Sequence, residues 1–186
     1  MQVSNFVGKS SWTASRRATS PLFVDKRNRI RRCATIVAAD AALKLPTELE
    51  RLVDRFSSVP DTKLRYQQLL FFAQKLPPMD PALKTDANRV RGCTSVVHVH
   101  VQLDENKNVL IAADSDAQLT KGLVALLVNG LNGCTAEEVL AIDPSFIVAS
   151  GLSVSLTPSR NNGFINMVAK IKEKVSMLRD SEAPNG

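Results

Sequence analysis

The stretch TSVVHVHVQLDENKNVLIAA, residues 94–113, decides how this chain folds. Its first half alternates, with Val97, Val99, Val101 and Leu103 pointing one way and His98, His100 and Gln102 the other. Successive strand side chains face opposite sides of a sheet, so a period of two predicts a half-buried strand over residues 94–103. Residues 104–108, DENKN, are turn formers, and residues 109–113 are apolar enough for a second strand. Together they read as a β-hairpin.

Helical patterns surround the hairpin. Upstream, Leu49, Leu52, Val53 and Phe56 recur at helical spacing, which predicts a helix over residues 46–59 with Thr47 and Glu50 as a capping box. A second helix is expected over 61–76, with Leu69, Phe72, Ala73 and Leu76 on one face and Pro77-Pro78 as the stop. Residues 77–92 then read as a long polar loop with three prolines, closing on Arg91-Gly92-Cys93; loops of that length often serve function.

Downstream, Ser115 and Gln118 have the spacing of another capping box. The stripe Leu119, Leu123, Leu126 and Leu127 predicts a helix to about residue 131, ended by Asn132-Gly133. Thr135 and Glu138 cap a short helix, and another is expected near 144–150. The last helix begins at Thr157-Pro158 and carries the stripe Phe164, Met167, Val168, Ile171, Val175 and Leu178. Residues 181–186 should be loose. Helices, a small antiparallel sheet and further helices define an α+β domain over residues 40–180.

The charge is unevenly spread. The 186 residues carry a formal charge of +6, yet residues 1–39 hold eight Lys or Arg against one acid, Asp25. The remainder is near neutral and has no basic stripe interleaved with aromatics, so no nucleic-acid partner is expected. No run of about 18 apolar residues occurs, so no membrane span is expected. Residues 1–39 are rich in Ser, Thr, Arg and Ala and lack a sustained apolar run, the composition of an organellar transit peptide. Ile30-Arg31-Arg32-Cys33-Ala34 resembles a plastid stromal processing site, which points to the plastid stroma, with the mitochondrion as the alternative.

Three cysteines occur, Cys33, Cys93 and Cys134, and their spacing suggests neither a disulfide framework nor a zinc site. Cys93 follows a glycine where a loop enters a strand, and Arg89 and Arg91 flank it in a way that would favour the thiolate. The alternative is a small buried hydrophobe. Arg160 stands at the third position of the last helix, where a cation opposes the helix dipole; holding an anion would explain it, and a surface arginine is the plainer reading. Asp114-Ser115-Asp116 reads as a helix start, with Asp116 favouring the dipole. Gly122 follows Lys121 inside a helix, at a cost of about 1 kcal/mol relative to Ala, which suggests close packing of another backbone. His98 and His100 share a strand face without a third ligand, and Cys134 reads as packing.

Three blocks, in order, resemble the SufE family of sulfur acceptors. Val90-Arg91-Gly92-Cys93-Thr94-Ser95-Val96-Val97 is similar to the family's V-x-G-C-x-S-x-V. Ala113-Asp114-Ser115-Asp116 with Thr120-Lys121-Gly122-Leu123 is similar to D-S-D…K-G-L. Leu156-Thr157-Pro158-Ser159-Arg160-Asn161-Asn162-Gly163 is similar to L-T-P-S-R-x-x-G. The resemblance covers roughly residues 46–178.

The resemblance implies a SufE/IscU-like α+β fold, a small antiparallel sheet packed with helices. Cys93 would take sulfur as a persulfide from a pyridoxal-phosphate-dependent cysteine desulfurase, stimulate that enzyme, and relay the sulfur to a SUF-type iron–sulfur scaffold. The chain would then be a covalent carrier and activator rather than an enzyme. It would need no metal and no cofactor, the pyridoxal phosphate belonging to the partner. Arg160 would stabilise the thiolate or persulfide, and Gly92, Asp116 and Lys121 would position the loop or the partner. A homodimer fits this reading. An IscU-type scaffold or a non-covalent desulfurase regulator are the alternatives. The family usually has Trp where this chain has His98, so a more polar wall is expected around the sulfur. No BolA-like or quinolinate-synthase activity is expected.

Overall fold

The hairpin forms as the alternation requires. In the computed structural model, which describes residues 45–182, strand β1 (Val97–Leu103) pairs antiparallel with β2 (Val109–Ser115), His100 lying opposite Ala112. Val97, Val99 and Val101 are buried together with Val109, Ile111 and Ala113, so the hairpin has one core face. β1 starts three residues later than the alternation suggests, because residues 94–96 belong to the turn that carries Cys93. The transit-peptide reading of residues 1–39 falls outside the described residues, as do residues 183–186.

A two-stranded ribbon is marginal in water by itself. This one is covered by helices. α3 (Gln118–Leu131) buries ten of its fourteen residues, and a helix that is apolar on nearly every side belongs at the centre of a fold. Against it pack α1 (Thr47–Ser57), α2 (Thr62–Lys75) and β2, while α7 (Pro158–Glu182) lies across β1. α4 (Ala136–Ala141), α5 (Phe146–Ala149) and α6 (Leu152–Ser155) connect α3 to α7. The stripe on α7 is buried from Phe164 to Val175, and the Phe164 ring meets Phe146 edge-on at 5.5 Å. Each fully buried Leu or Phe contributes about 1.5–3 kcal/mol. α7 continues through Ser181 and Glu182, two residues into the segment expected to be loose. Among the described residues no helix is long and apolar enough to cross a membrane.

Gly122 is needed where α3 meets α2. A β-carbon there would stand 2.2 Å from the carbonyl oxygen of Leu69, so the two backbones touch, as the glycine suggested.

Two expected caps are absent. α1 begins one residue early, because the carbonyl of Pro46 accepts the first helical bond from the Glu50 amide; Thr47 is already inside the helix and caps nothing. Ser115 remains in the strand, paired with Val97, so Ala117 takes the cap position of α3 without a side-chain bond. The Thr135–Glu138 capping box on α4 is present with both its bonds.

Residues 77–92 are a strap rather than an open loop. They contain two single 3-10 turns, Pro81–Leu83 and Asp86–Asn88. Met79, Asn88 and Val90 are buried. Lys174 of α7 donates to Asn88 Oδ1 at 2.6 Å, and Lys84 meets Asp114 at 2.5 Å. Burial pushes the Lys174 ammonium down from its ordinary range, with Lys170 adding to the effect and Glu173 opposing it. The strap is therefore fastened to both α7 and the hairpin.

Candidate functional site

The short turn between the strap and β1 presents Cys93. Its two ends are held together. The Val90 amide donates to the Val97 carbonyl at 2.8 Å. One residue further in, the Asp116 carboxylate accepts from the Val96 amide at 3.0 Å while the Asp116 amide donates to the Val96 carbonyl at 3.2 Å. Asp116 thus holds the root of the cysteine turn. Gly92 adopts φ +78°, a left-handed conformation that glycine accepts without strain. A β-carbon at Gly92 would also sit 2.6 Å from Asn166 Nδ2. Any motion of Cys93 must therefore come from residues 91–95, because the strap behind them is tied down.

The half-buried Cys93 thiol points at α7 and donates to the Gly163 carbonyl at 3.4 Å. Gly163 permits that approach: a β-carbon there would lie 3.3 Å from the sulfur. Gly163 closes the L-T-P-S-R-x-x-G block but was given no role there, although a glycine inside a helix, three residues past Arg160, was a signal of the same kind as Gly122.

Beside the sulfur lies a cavity of about 10 Å³, lined by Cys93, Ser95, Thr120, Leu123, Arg160 and Met167 among others. That is room for about one water-sized group. His98 is not part of its lining, so the expected polar wall at that position does not form. On its other side Cys93 borders an open mouth of about 260 Å³ with Arg89, Arg91 and Gly92.

The flanking arginines do not activate the thiol. Burial pushes the Cys93 thiol up from its ordinary value, and no cation offsets it. Arg91 is directed instead at Asp86, 3.0 Å away on the exposed strap. Burial thus favours the protonated thiol, the opposite of the effect expected from Arg89 and Arg91. A thiol held up by burial ionises only at higher pH than a free cysteine. The rate of Cys93 alkylation by iodoacetamide should therefore rise with pH to a midpoint above that of a small-molecule thiol. A midpoint below it would contradict this assignment.

Arg160 does reach the site. Its backbone begins α7, where its amide donates to the Thr157 carbonyl at 3.0 Å, and its side chain lines the cavity. No hydrogen bond or ion pair engages that guanidinium among the described residues. Lys121 is placed elsewhere: it joins Lys84 on Asp114, at 2.8 Å. Burial opposes ionisation of Asp114, but the hydrogen bonds from Lys121 and Lys84 prevail and hold its carboxyl below the ordinary range. Lys121 thus ties α3 to β2 through the carboxylate that also holds Lys84 of the strap, and it does not line Cys93's cavity. Cys134 donates to the Gly130 carbonyl at 3.7 Å and packs against the core, as its position suggested. His98 forms a bridge with Arg89. Among the described residues no group of three or more His, Cys, Asp or Glu is placed to hold a metal ion.

A half-buried cysteine beside a small cavity on an α+β domain defines a class, and comparison with known proteins names it. Residues 50–175 match the SufE model, described as an Fe-S metabolism associated domain, and the chain belongs to the SufE family. It is 48% identical over 135 residues to SufE-like protein 1, chloroplastic/mitochondrial, of Arabidopsis thaliana; the match covers 73% of this chain and 36% of that protein. An uncharacterized SufE-like protein of Synechocystis is 49% identical over 139 residues, covering 75% of this chain and 86% of the relative. The cysteine desulfuration protein SufE of Plasmodium vivax is 37% identical, with 74% and 57% covered. The chain therefore spans about a third of the Arabidopsis relative and just over half of the Plasmodium one. The solution structure of a hypothetical protein from Thermus thermophilus superposes with a TM-score of 0.66 at 29% identity, covering 73% of this chain and 98% of that one. The α+β architecture with its small antiparallel sheet agrees with that neighbour.

Proposed function

We propose that this chain accepts sulfur from a cysteine desulfurase onto Cys93. The observation that carries the reading is the placement of the thiol, between an open mouth on one side and a cavity for one further atom on the other. The cysteine desulfuration protein of Plasmodium vivax supports it by its name. Ionised Cys93 attacks the outer sulfur of the donor's cysteine persulfide. The donor's S–S bond breaks, its cysteine leaves as a thiolate, and Cys93 keeps the transferred atom as Cys93–S–SH. No electrons are gained or lost overall.

Turning residues 91–95 outward would bring Cys93 to the donor and expose it to water, which lets the thiol ionise; turning back would shelter the persulfide. Removing sulfur from the donor frees its cysteine for another turnover, so the chain would also stimulate the desulfurase. Delivery to a SUF-type iron–sulfur scaffold is the onward step we propose. The pyridoxal phosphate of the reaction belongs to the desulfurase. The chloroplastic/mitochondrial relative, together with the basic, acid-poor composition of residues 1–39, supports an organellar site of action, and we favour the plastid stroma.

The test is incubation with radiolabelled cysteine and a plastid-type cysteine desulfurase, followed by non-reducing electrophoresis. Label should appear on this chain and be released by a reductant. Sulfide production with no label on the chain would contradict the reading. Arg160 should matter to the same step, since its guanidinium lines the cavity in which negative charge arrives. Arg160→Ala should slow labelling about tenfold, the worth of one hydrogen bond to a charged group, while leaving the melting temperature unchanged. A wild-type labelling rate would remove Arg160 from the site.

A further inference from the structure

The cavity beside Cys93 has a polar wall that sulfur acceptance by the thiol leaves unused. Ser95 Oγ and Thr120 Oγ1 lie 3.1 Å apart, and both residues line that cavity. Ser95 comes from the cysteine turn and Thr120 from the first turn of α3, so the pair joins the moving part to the fixed part. Thr120 is only 5% exposed. A buried threonine in a helix commonly turns its hydroxyl back to the carbonyl four residues earlier. Thr120 does not; its bond is to Ser95.

The proton count then decides what the pair can do. Each hydroxyl has one proton, and only one of the two can lie between the oxygens. Neither hydroxyl has another partner among the described residues. One O–H therefore remains to be donated, on the wall of the cavity. A buried donor left without an acceptor costs free energy. A negatively charged sulfur entering the cavity would satisfy it.

Resting on the persulfide reading, we propose that the Ser95–Thr120 hydroxyl pair is the binding site for the outer sulfur of the Cys93 persulfide. The free hydroxyl proton is donated to that sulfur in its ionised form. Leu123 and Met167 supply the apolar part of the cavity, and Arg160 supplies the positive charge. An S–S bond is about 2 Å long, so the added atom falls beside Sγ, where the cavity has room for about one such group. The site accordingly suits a single added sulfur. It also gives the turn a reason to close after loading. In the filled site the one free hydroxyl donates to the transferred atom while the Ser95–Thr120 bond is kept, which draws residues 91–95 back onto α3.

The test uses the full chain loaded chemically with inorganic polysulfide, so no partner protein enters. After desalting, loss of the added sulfur to dithiothreitol is followed by intact mass. The reductant's thiols attack the outer sulfur, Cys93 returns as a thiol, and sulfide and the cyclic disulfide are released. Thr120→Val keeps the shape and removes the hydroxyl that fixes Ser95 Oγ in place, so the one remaining hydroxyl proton is no longer held toward the sulfur. It should lose its sulfur about tenfold faster than wild type, the worth of one hydrogen bond to a charged group. Thr120→Ser keeps the hydroxyl and should hold sulfur nearly as long as wild type. Ser95→Ala, on the partly exposed turn, provides a second variant if Thr120→Val fails to fold, and should also lose sulfur faster. Equal lifetimes for wild type, Thr120→Val and Ser95→Ala would overturn the proposal. So would a Thr120→Ser variant as leaky as Thr120→Val, because the methyl group would then be what matters. A wild-type chain that takes no sulfur on Cys93 from polysulfide would overturn both this inference and the reading beneath it. A chain that takes sulfur from polysulfide but never from a desulfurase would overturn the relay alone, with the lifetimes still deciding the role of the hydroxyls.

Discussion

Replacing Gly122 by alanine should destabilise the domain by about 3 kcal/mol, at the upper end of what overpacking a core usually costs. The new β-carbon would lie 2.2 Å from the Leu69 carbonyl oxygen and 2.7 Å from its carbonyl carbon. Those are backbone atoms in the middle of α2, which cannot swing aside as the tip of a lysine would. α3 must then move away from α2 along their whole contact. α3 also carries Thr120 and Leu123, which line the cysteine cavity. Loss of stability and loss of sulfur retention should therefore appear together. Urea unfolding of the two proteins checks the first part, and equal midpoints would show that the helices do not touch as described.

Cys93→Ser should have the opposite profile, with function lost and the fold kept. The serine hydroxyl can donate to the Gly163 carbonyl in place of the thiol, and the turn is held by Val90, Val97 and Asp116 whatever residue stands at 93. Its melting temperature should stay near that of wild type, since the side chain is only half buried and the swap is small. Sulfur labelling should disappear completely, because an oxygen nucleophile with an alcohol's acidity does not take up sulfane sulfur at neutral pH. Stimulation of the desulfurase should disappear with it. Undiminished stimulation by Cys93→Ser would instead support a regulator that acts by binding alone.

Much of the fold was legible because the hairpin and α7 obey a strict period over many residues and α3 is a long apolar run between two stops. The hairpin's buried valines and the buried stripe of α7 follow directly from that spacing. What failed were features decided by a single neighbour. Thr47 and Ser115 had the right spacing for caps, but Pro46 started α1 one residue early and the pairing of Ser115 with Val97 extended β2 through the cap position. Residues 77–92 read as a long polar loop because Lys84, Asn88 and Val90 find their partners on Asp114, Lys174 and Val97, most of them distant in sequence.

At the site, the blocks around Cys93, Asp116 and Arg160 marked the residues that the structure places around or beneath the cysteine turn. Proximity along the chain misled about charge. Arg91 is two residues from Cys93, but an irregular turn does not aim side chains by position, and the guanidinium goes to Asp86. Burial then sets the acidity of the thiol. Gly163, Ser95 and Thr120 stand in the three blocks, but their contacts went unread because a contact across the cavity leaves no periodic trace.

The central claim is that one particular sulfur atom receives another. Peptide mapping by mass spectrometry, after incubation with a cysteine desulfurase and cysteine, tests it most directly. One added sulfur is expected on the peptide containing Cys93, removed by a reductant and absent from the peptide containing Cys134. Sulfur added to Cys134 alone, or to neither peptide while the desulfurase is still stimulated, would contradict it.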